Sequence, residues 1–321
     1  MRIFLFSLLI FVLVASSSAF AGGGRAYPLG AEAFLVGAAP PPGLTLLNYA
    51  YFYQADELKD TSGDEIDVFD EVTVWADVLR FIYFTKKKLF GGYYGQHFFL
   101  LYVITDLDFK APVGPKHKKN YSDANVPYII YSPFLLAWHL CGGKLHMVLD
   151  IADLYIPLSN EEKNNLASVG RNFWTIEPVF AITYMFTPKL AASLKLMYDF
   201  NTKQDDYPTP MGVKVDRTPG QEFHFDWSVS YAIRPHLRVG LSGYYYRQVK
   251  NDDFDDLDDY PAPLKAALED MEDDQGRIWG LGPGVWYQHR NMFFSLRTQF
   301  QFGARDMTEG YNVWFKFGYI F

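Results

Sequence analysis

Several residues in this chain are of types that do chemistry. His146 and Asp150 stand four apart, and Glu222, His224, Asp226 and Ser228 alternate over seven positions. On an extended strand, residues two or four apart share a face, so such groups become neighbours by geometry alone. A hydrolytic triad also needs a nucleophile held by its base. Ser228 is on the right face, but nothing in the sequence marks it out. Gly-x-Ser-x-Gly, His-Glu-x-x-His and Cys-x-x-Cys are all missing. No catalytic residue is therefore assigned, and an outer-membrane hydrolase stays as a minor alternative. A second group of acids crowds 250–275, where Asp252, Asp253, Asp255, Asp256, Asp258, Asp259, Glu269, Asp270, Glu272, Asp273 and Asp274 surround only Lys265. A calcium loop needs acids at fixed offsets around a turn glycine. This order does not match one, so the sequence predicts a solvated, mobile outer loop, with divalent bridging to lipopolysaccharide as the alternative, and no resident metal or cofactor.

The elements that would carry these groups are strands. In Tyr311–Phe321, Tyr311, Val313, Phe315, Phe317, Tyr319 and Phe321 fall on one face, and Asn312, Trp314, Lys316, Gly318 and Ile320 on the other. A soluble sheet would need a second layer over the apolar face. In an outer membrane, lipid covers it, and apolar-out, polar-in alternation is the mark of a transmembrane β-barrel. Stretches at 190–201, 222–233 and 292–302 alternate as cleanly. Those at 70–84 and 127–141 alternate poorly. The pattern predicts about twelve strands: 44–54, 70–84, 92–106, 127–141, 143–156, 172–186, 188–202, 220–234, 235–249, 276–289, 291–304 and 311–321.

The connections sort by length. Short links fall near 86–92, 141–143, 187–188, 234–235 and 289–290, and long polar ones at 55–69, 107–126, 157–171, 203–219 and 250–275; only the last outer link, near 304–310, is modest. Short periplasmic turns opposite long outer loops are expected of an outer-membrane barrel, and a soluble sandwich has no reason to sort its loops so. An all-β fold follows: a transmembrane antiparallel barrel with both termini on the periplasmic side.

At the start of the chain, Arg2, the apolar run Ile3–Val14 and Ala19-Phe20-Ala21 read as a signal peptide cleaved after Ala21. Loss of Arg2, the only charge there, takes the net charge from −8 to −9, which argues against a nucleic-acid partner. Aromatics make up 18% of the chain, enough to furnish girdles at both membrane interfaces. With Cys141 alone there is no internal disulfide, so closure of the sheet must supply the stability. Residues 22–43 are apolar, turn-rich and end in Pro40-Pro41-Pro42, which cannot join a ladder. They precede the barrel at 44–321 and form either a lumen plug, with Phe34, Leu35 and Val36 lining an apolar site, or a periplasmic extension. Facing the lumen, the alternation puts His146, Asp150, Glu177, Lys195, Asp199, Glu222, His224, Asp226, Arg238, Arg297, Gln299 and Lys316. Such mixed charge lines a hydrated path without strong ion preference, or locks strands together across a narrow one.

Segments spread along the chain carry a resemblance. They are Ala39-Pro40-Pro41-Pro42-Gly43, Asn48–Asp56 with Leu58-Lys59-Asp60, Arg80–Thr85 with Leu89–Gly92, Asn172–Pro178, Gly280–Pro283 and Asn312–Lys316. In this order they resemble the outer-membrane transporter family associated with meta-pathway phenol degradation, over about residues 26–321. The resemblance implies a barrel that admits small hydrophobic or aromatic solutes. Its expected surroundings are outer-membrane lipid, lipopolysaccharide and the barrel-assembly machinery. A structural or adhesive barrel without transport is the principal alternative.

Overall fold

A computed structural model describes residues 27–110, 118–160, 165, 167–209 and 213–321. The expected signal peptide lies outside them. Twelve antiparallel strands form the wall: β1 (Gly43–Lys59), β2 (Phe69–Leu89), β3 (Gly92–Lys110), β4 (Tyr128–Leu140), β5 (Leu145–Pro157), β6 (Thr175–Met185), β7 (Leu190–Asn201), β8 (Glu222–Arg234), β9 (Leu237–Gln248), β10 (Arg277–His289), β11 (Met292–Arg305) and β12 (Met307–Ile320). Each pairs with its neighbours in sequence, and β1 pairs with β12 from Thr45↔Ile320 to Lys59↔Met307, which closes the sheet. Closure satisfies every strand edge, the condition for a sheet to cross lipid. No helix among the described residues is long and apolar enough to span a membrane.

The outer face is apolar. Trp75, Phe81, Tyr83, Tyr102, Ile151, Tyr231, Leu241, Leu296, Phe300 and Phe315 stand exposed. The alternating strands keep the expected faces: Ala191, Ser193, Lys195, Met197 and Asp199 point inward on β7, and Glu222, His224, Asp226, Ser228 and Ser230 on β8. The poorly alternating strands have two explanations. On β2, Val72, Val74, Val78, Ile82 and Phe84 are buried inside opposite an outer face of Trp75, Leu79, Phe81 and Tyr83, and with Arg80 on the inner face and Asp77 on the outer one little alternation is left to read. On β4, Ile130 and Ser132 point inward, but past Pro133 so do Leu135 and Ala137, because the ladder to β3 shifts between Gly95 and His97.

Outside the wall, the long connections are partly folded. Lys118–Asn125 continues the ladder of β3 beyond β4. Gln204–Pro208, Lys214–Thr218 and Asp253–Phe254 form a small three-stranded sheet. Helix α1 (Ala262–Glu272) lies against it, burying Leu268 and Met271 with Tyr207, Val215 and Phe254. This corrects the expectation of a mobile 250–275 loop. Apart from Asp252, the acids lie around a small apolar cluster, which charge counting does not reveal. Arg217 and Asp252 pair at 3.3 Å beneath it, and Arg217 lies 3.4 Å over the Tyr207 ring.

Candidate functional site

Residues 27–42 run inside the barrel. Tyr27, Leu29, Ala31, Glu32, Ala33 and Phe34 are buried there. A chain with no ladder of its own must hand its polar groups to the wall. The wall supplies partners from β6 to β12. Asp226 accepts from the Tyr27 hydroxyl (2.7 Å) and from the amides of Gly30 (3.1 Å) and Glu32 (3.0 Å). Arg297 donates to the carbonyls of Gly30 (2.9 Å) and Ala31 (2.7 Å). Ser228 donates to the Ala33 carbonyl, and the amides of Leu35 and Gly37 reach Ser193 and Thr183. Two glycines are needed for the fit. Gly30 has φ +75, and a Cβ on it would stand 2.1 Å from Gln299 Oε1. On Gly284 a Cβ would stand 2.9 Å from the Phe34 ring.

Glu32 is the charged centre of the segment. Lys316 Nζ is 2.6 Å from its Oε2, while Arg80 (3.0 Å) and the Tyr49 hydroxyl (2.6 Å) reach Oε1. Burial pushes this carboxyl up, but Lys316, Arg80 and Lys195 outweigh it and hold it well below the usual carboxylate range. From Arg80 the network continues to His97 Nδ1 at 2.7 Å. His97 Nε2 bonds Asp153 and lies 3.2 Å from Asp150, which accepts from Ser132. Asp150 and Asp153 face the same lumen despite odd spacing because β5 slips register between them.

The lumen has two unlike sides. Strands β6 to β12 present most of the polar groups that bind the segment, with Tyr49 on β1 and Arg80 on β2 adding theirs at Glu32. Strands β1 to β4 present Leu47, Tyr51, Val78, Ile82, Phe84, Leu101, Ile130 and Leu135. On the side of the short turns, a cavity of about 350 Å³ lies against the segment, lined by Phe34, Leu35, Val36, Pro40 and Pro41 and by Leu47, Ile82, Phe84, Leu135, Val148 and Val179. Its inner end is polar, formed by Glu32, Arg80, His97, Asp150, Asp153 and Lys195. Beyond that layer a space of about 40 Å³ lies among Tyr27, Tyr49, Phe99, Leu101, Tyr128 and Trp314, and Glu32, Arg80, Asp153 and Lys195 border both.

Of the residues singled out from the sequence, Asp226, Arg297 and Lys316 hold the inner segment, and Lys195 lies 4.3 Å over the Tyr27 ring. Gln299 reaches Ser242 at 3.3 Å next to Gly30. Glu177, Asp199, Glu222 and His224 form a separate buried group. Asp150 does not pair with His146. His146 sits by the turn after β4, bonded to His139 (2.7 Å) and to the Gly143 carbonyl, because it is the second residue of β5, four positions before Asp150, and so stands at the barrel end. Arg238 braces the opposite side of that end, donating to Ser230 and to the Lys189 carbonyl. Pro42 leaves the cavity and is half-buried where β1 begins. Glu32, Arg80, His97, Asp153 and Tyr49 were missed. Arg80 is the only charge on the inner face of an otherwise apolar stretch, a signal that the poor alternation of β2 concealed.

The family model described as "Putative MetA-pathway of phenol degradation" matches residues 55–317. Among solved structures, an outer membrane channel from Pseudomonas putida F1 superposes with a TM-score of 0.69 at 12% identity, covering 88% of this chain and 97% of that one. It shares the barrel architecture. Two further likenesses, a TodX monoaromatic hydrocarbon channel variant (10% identity, 96% and 98% covered) and a FadL homologue of Pseudomonas aeruginosa (8%, 96% and 98%), reach a TM-score of only 0.42 each and carry no weight here. No curated protein matches the chain.

Proposed function

We propose, from the premise that this chain belongs to the family described as "Putative MetA-pathway of phenol degradation", that it is a passive outer-membrane channel for small hydrophobic or aromatic compounds. The observation that carries this reading is the two-sided lumen. The inner segment is bonded chiefly to the polar wall, and the cavity of about 350 Å³ left beside it is lined largely by apolar side chains, Phe34, Val36, Leu47, Ile82, Phe84 and Leu135 among them. That volume falls in the range of small-ligand pockets. Apolar walls with a polar inner end suit a ring bearing one hydroxyl or carboxyl group. Residues 27–42 act as the plug of this channel, and the Glu32–Arg80–Lys195–Asp153 layer is the constriction between the two spaces.

Export by a signal peptide cleaved after Ala21, assembly by the barrel machinery and contact with lipopolysaccharide belong to the same reading. So does the absence of catalysis. Ser228 gives its hydroxyl to the Ala33 carbonyl, so no base holds it, and Ser132 is bonded to a carboxylate rather than to a histidine. The test is uptake of a labelled monocyclic aromatic into liposomes containing the purified protein. Uptake should saturate, and it should fall when Phe84 or Leu135 is changed to Asp, with the barrel still heat-modifiable on a gel. Equal uptake with and without the protein would leave the structural-barrel alternative.

A further inference from the structure

At the outer end of the lumen, away from the cavity, lies a buried group that the channel reading does not use. Glu177 on β6 stands opposite Asp199 on β7, between the pairs Ile176↔Phe200 and Val179↔Met197, and Asp199 is in register with Glu222 on β8. Three carboxylates thus sit side by side at one level, each no more than 1% exposed. Like charges directly opposite one another destabilise a sheet, and burying charge is costly unless it is compensated. One cation, Arg171, is buried beside them, where its charge acts on Glu222 and Asp199 while it donates to Thr175 at 2.6 Å and stacks over Phe173 at 4.1 Å.

The fourth member is His224, two residues beyond Glu222. Its Nε2 lies 3.3 Å from Glu177 Oε2 and 3.5 Å from Asp199 Oδ1, and neither contact is aligned as a hydrogen bond. Among the described residues, both Asp199 oxygens and both ring nitrogens of His224 lack a hydrogen-bond partner. These spacings have a simple meaning. Zinc binds imidazole nitrogen and carboxylate oxygen in a tetrahedron, and its bonds of 2.0–2.2 Å set the edges between ligand atoms at about 3.3–3.6 Å. Supporting contacts are present too. The Tyr155 hydroxyl donates to Glu177 Oε2 at 3.1 Å, and the Tyr27 ring lies 5.1 Å from the His224 ring.

We propose that Glu177, Asp199 and His224 bind one divalent transition-metal ion, zinc by the nature of the donors, which ties three adjacent strands together at the outer end of the lumen. The other buried histidine–carboxylate group does not qualify. Both nitrogens of His97 are already engaged, by Arg80 and by Asp153.

The full-length protein, refolded or extracted in detergent and stripped with chelator, is titrated with Co²⁺ alone. One equivalent should bind with the visible absorption of a tetrahedral site, and Zn²⁺ should displace it. Asp199→Asn and Glu177→Gln keep shape and relieve repulsion, so they fold whether or not a metal binds. Each should weaken cobalt binding more than about 100-fold, beyond what disturbing an outer partner does. His97→Asn should leave binding intact. Chelator should also lower the wild-type melting temperature but not that of Asp199→Asn. A wild-type protein that takes up no stoichiometric metal overturns the proposal. So does retention of cobalt by both carboxamide variants, or its loss in His97→Asn.

Discussion

Asp226 shows how much one side chain does here. It accepts three hydrogen bonds from the inner segment, one from a side chain and two from backbone amides. Hydrogen bonds to a charged group contribute about 1.5–3 kcal/mol each, so Asp226→Ala should weaken docking of the segment by at least about 3 kcal/mol. Single-channel recording should show longer and more frequent open events. Gly30→Ala should act alike, since it forces a Cβ into Gln299 at a positive φ. Glu32 sets a pH dependence. Its pKa is lower docked than released, so its contribution is complete above the ordinary value of 4.5 and is lost as pH falls below that toward the docked value. Conductance should therefore be flat at neutral and mildly acid pH and rise only in stronger acid. A rise toward alkaline pH would contradict the assignment.

At the scale of elements, β12 closes the barrel and its outer face meets lipid. Phe315 is exposed, and Phe294 packs on Phe317 at 5.2 Å. A charge there costs about 2–4 kcal/mol near the midplane. Phe317→Arg, or removal of Phe321, should cut the amount of heat-modifiable protein reaching the outer membrane. The cap behaves differently from a free loop. Leu268 is fully buried beneath α1, so Leu268→Asp should open the cap. Protease added to whole cells should then cut within 250–275 much faster than in the wild type. Preferential cutting at Phe90-Gly91 would invert the sidedness, because that turn belongs to the periplasmic end.

For the whole molecule, the question is what the inner segment restricts. A barrel of twelve strands is wider than the eight-stranded kind, whose side chains fill the interior. Residues 27–38 occupy that extra width. Deleting them should leave the barrel folded, because the β1–β12 ladder does not involve them, while raising conductance in planar bilayers and loosening selectivity among aromatic solutes. Unchanged conductance and uptake after that deletion would remove the plug from the mechanism.

The sequence by itself determined the closed sheet, the position of its twelve strands and the sorting of its loops. Lipid and lumen are two different solvents, and a period of two writes that difference directly into the residues of β7, β8, β11 and β12. It could not show which face is inner where both are mostly apolar, as on β2. Nor could it show where a slip in register puts Asp150 and Asp153 on one side. The folding of 250–275 into a cap was hidden for a related reason, since Leu268 and Met271 meet Tyr207 and Val215 only across long separations in sequence. Alternation placed Asp226, Arg297 and Lys316 in the lumen, but what they hold there was decided by tertiary structure. Glu32 meets Lys316 across 284 residues, and no local pattern encodes a pairing between a segment without periodicity and a wall that closes only when the last strand reaches the first.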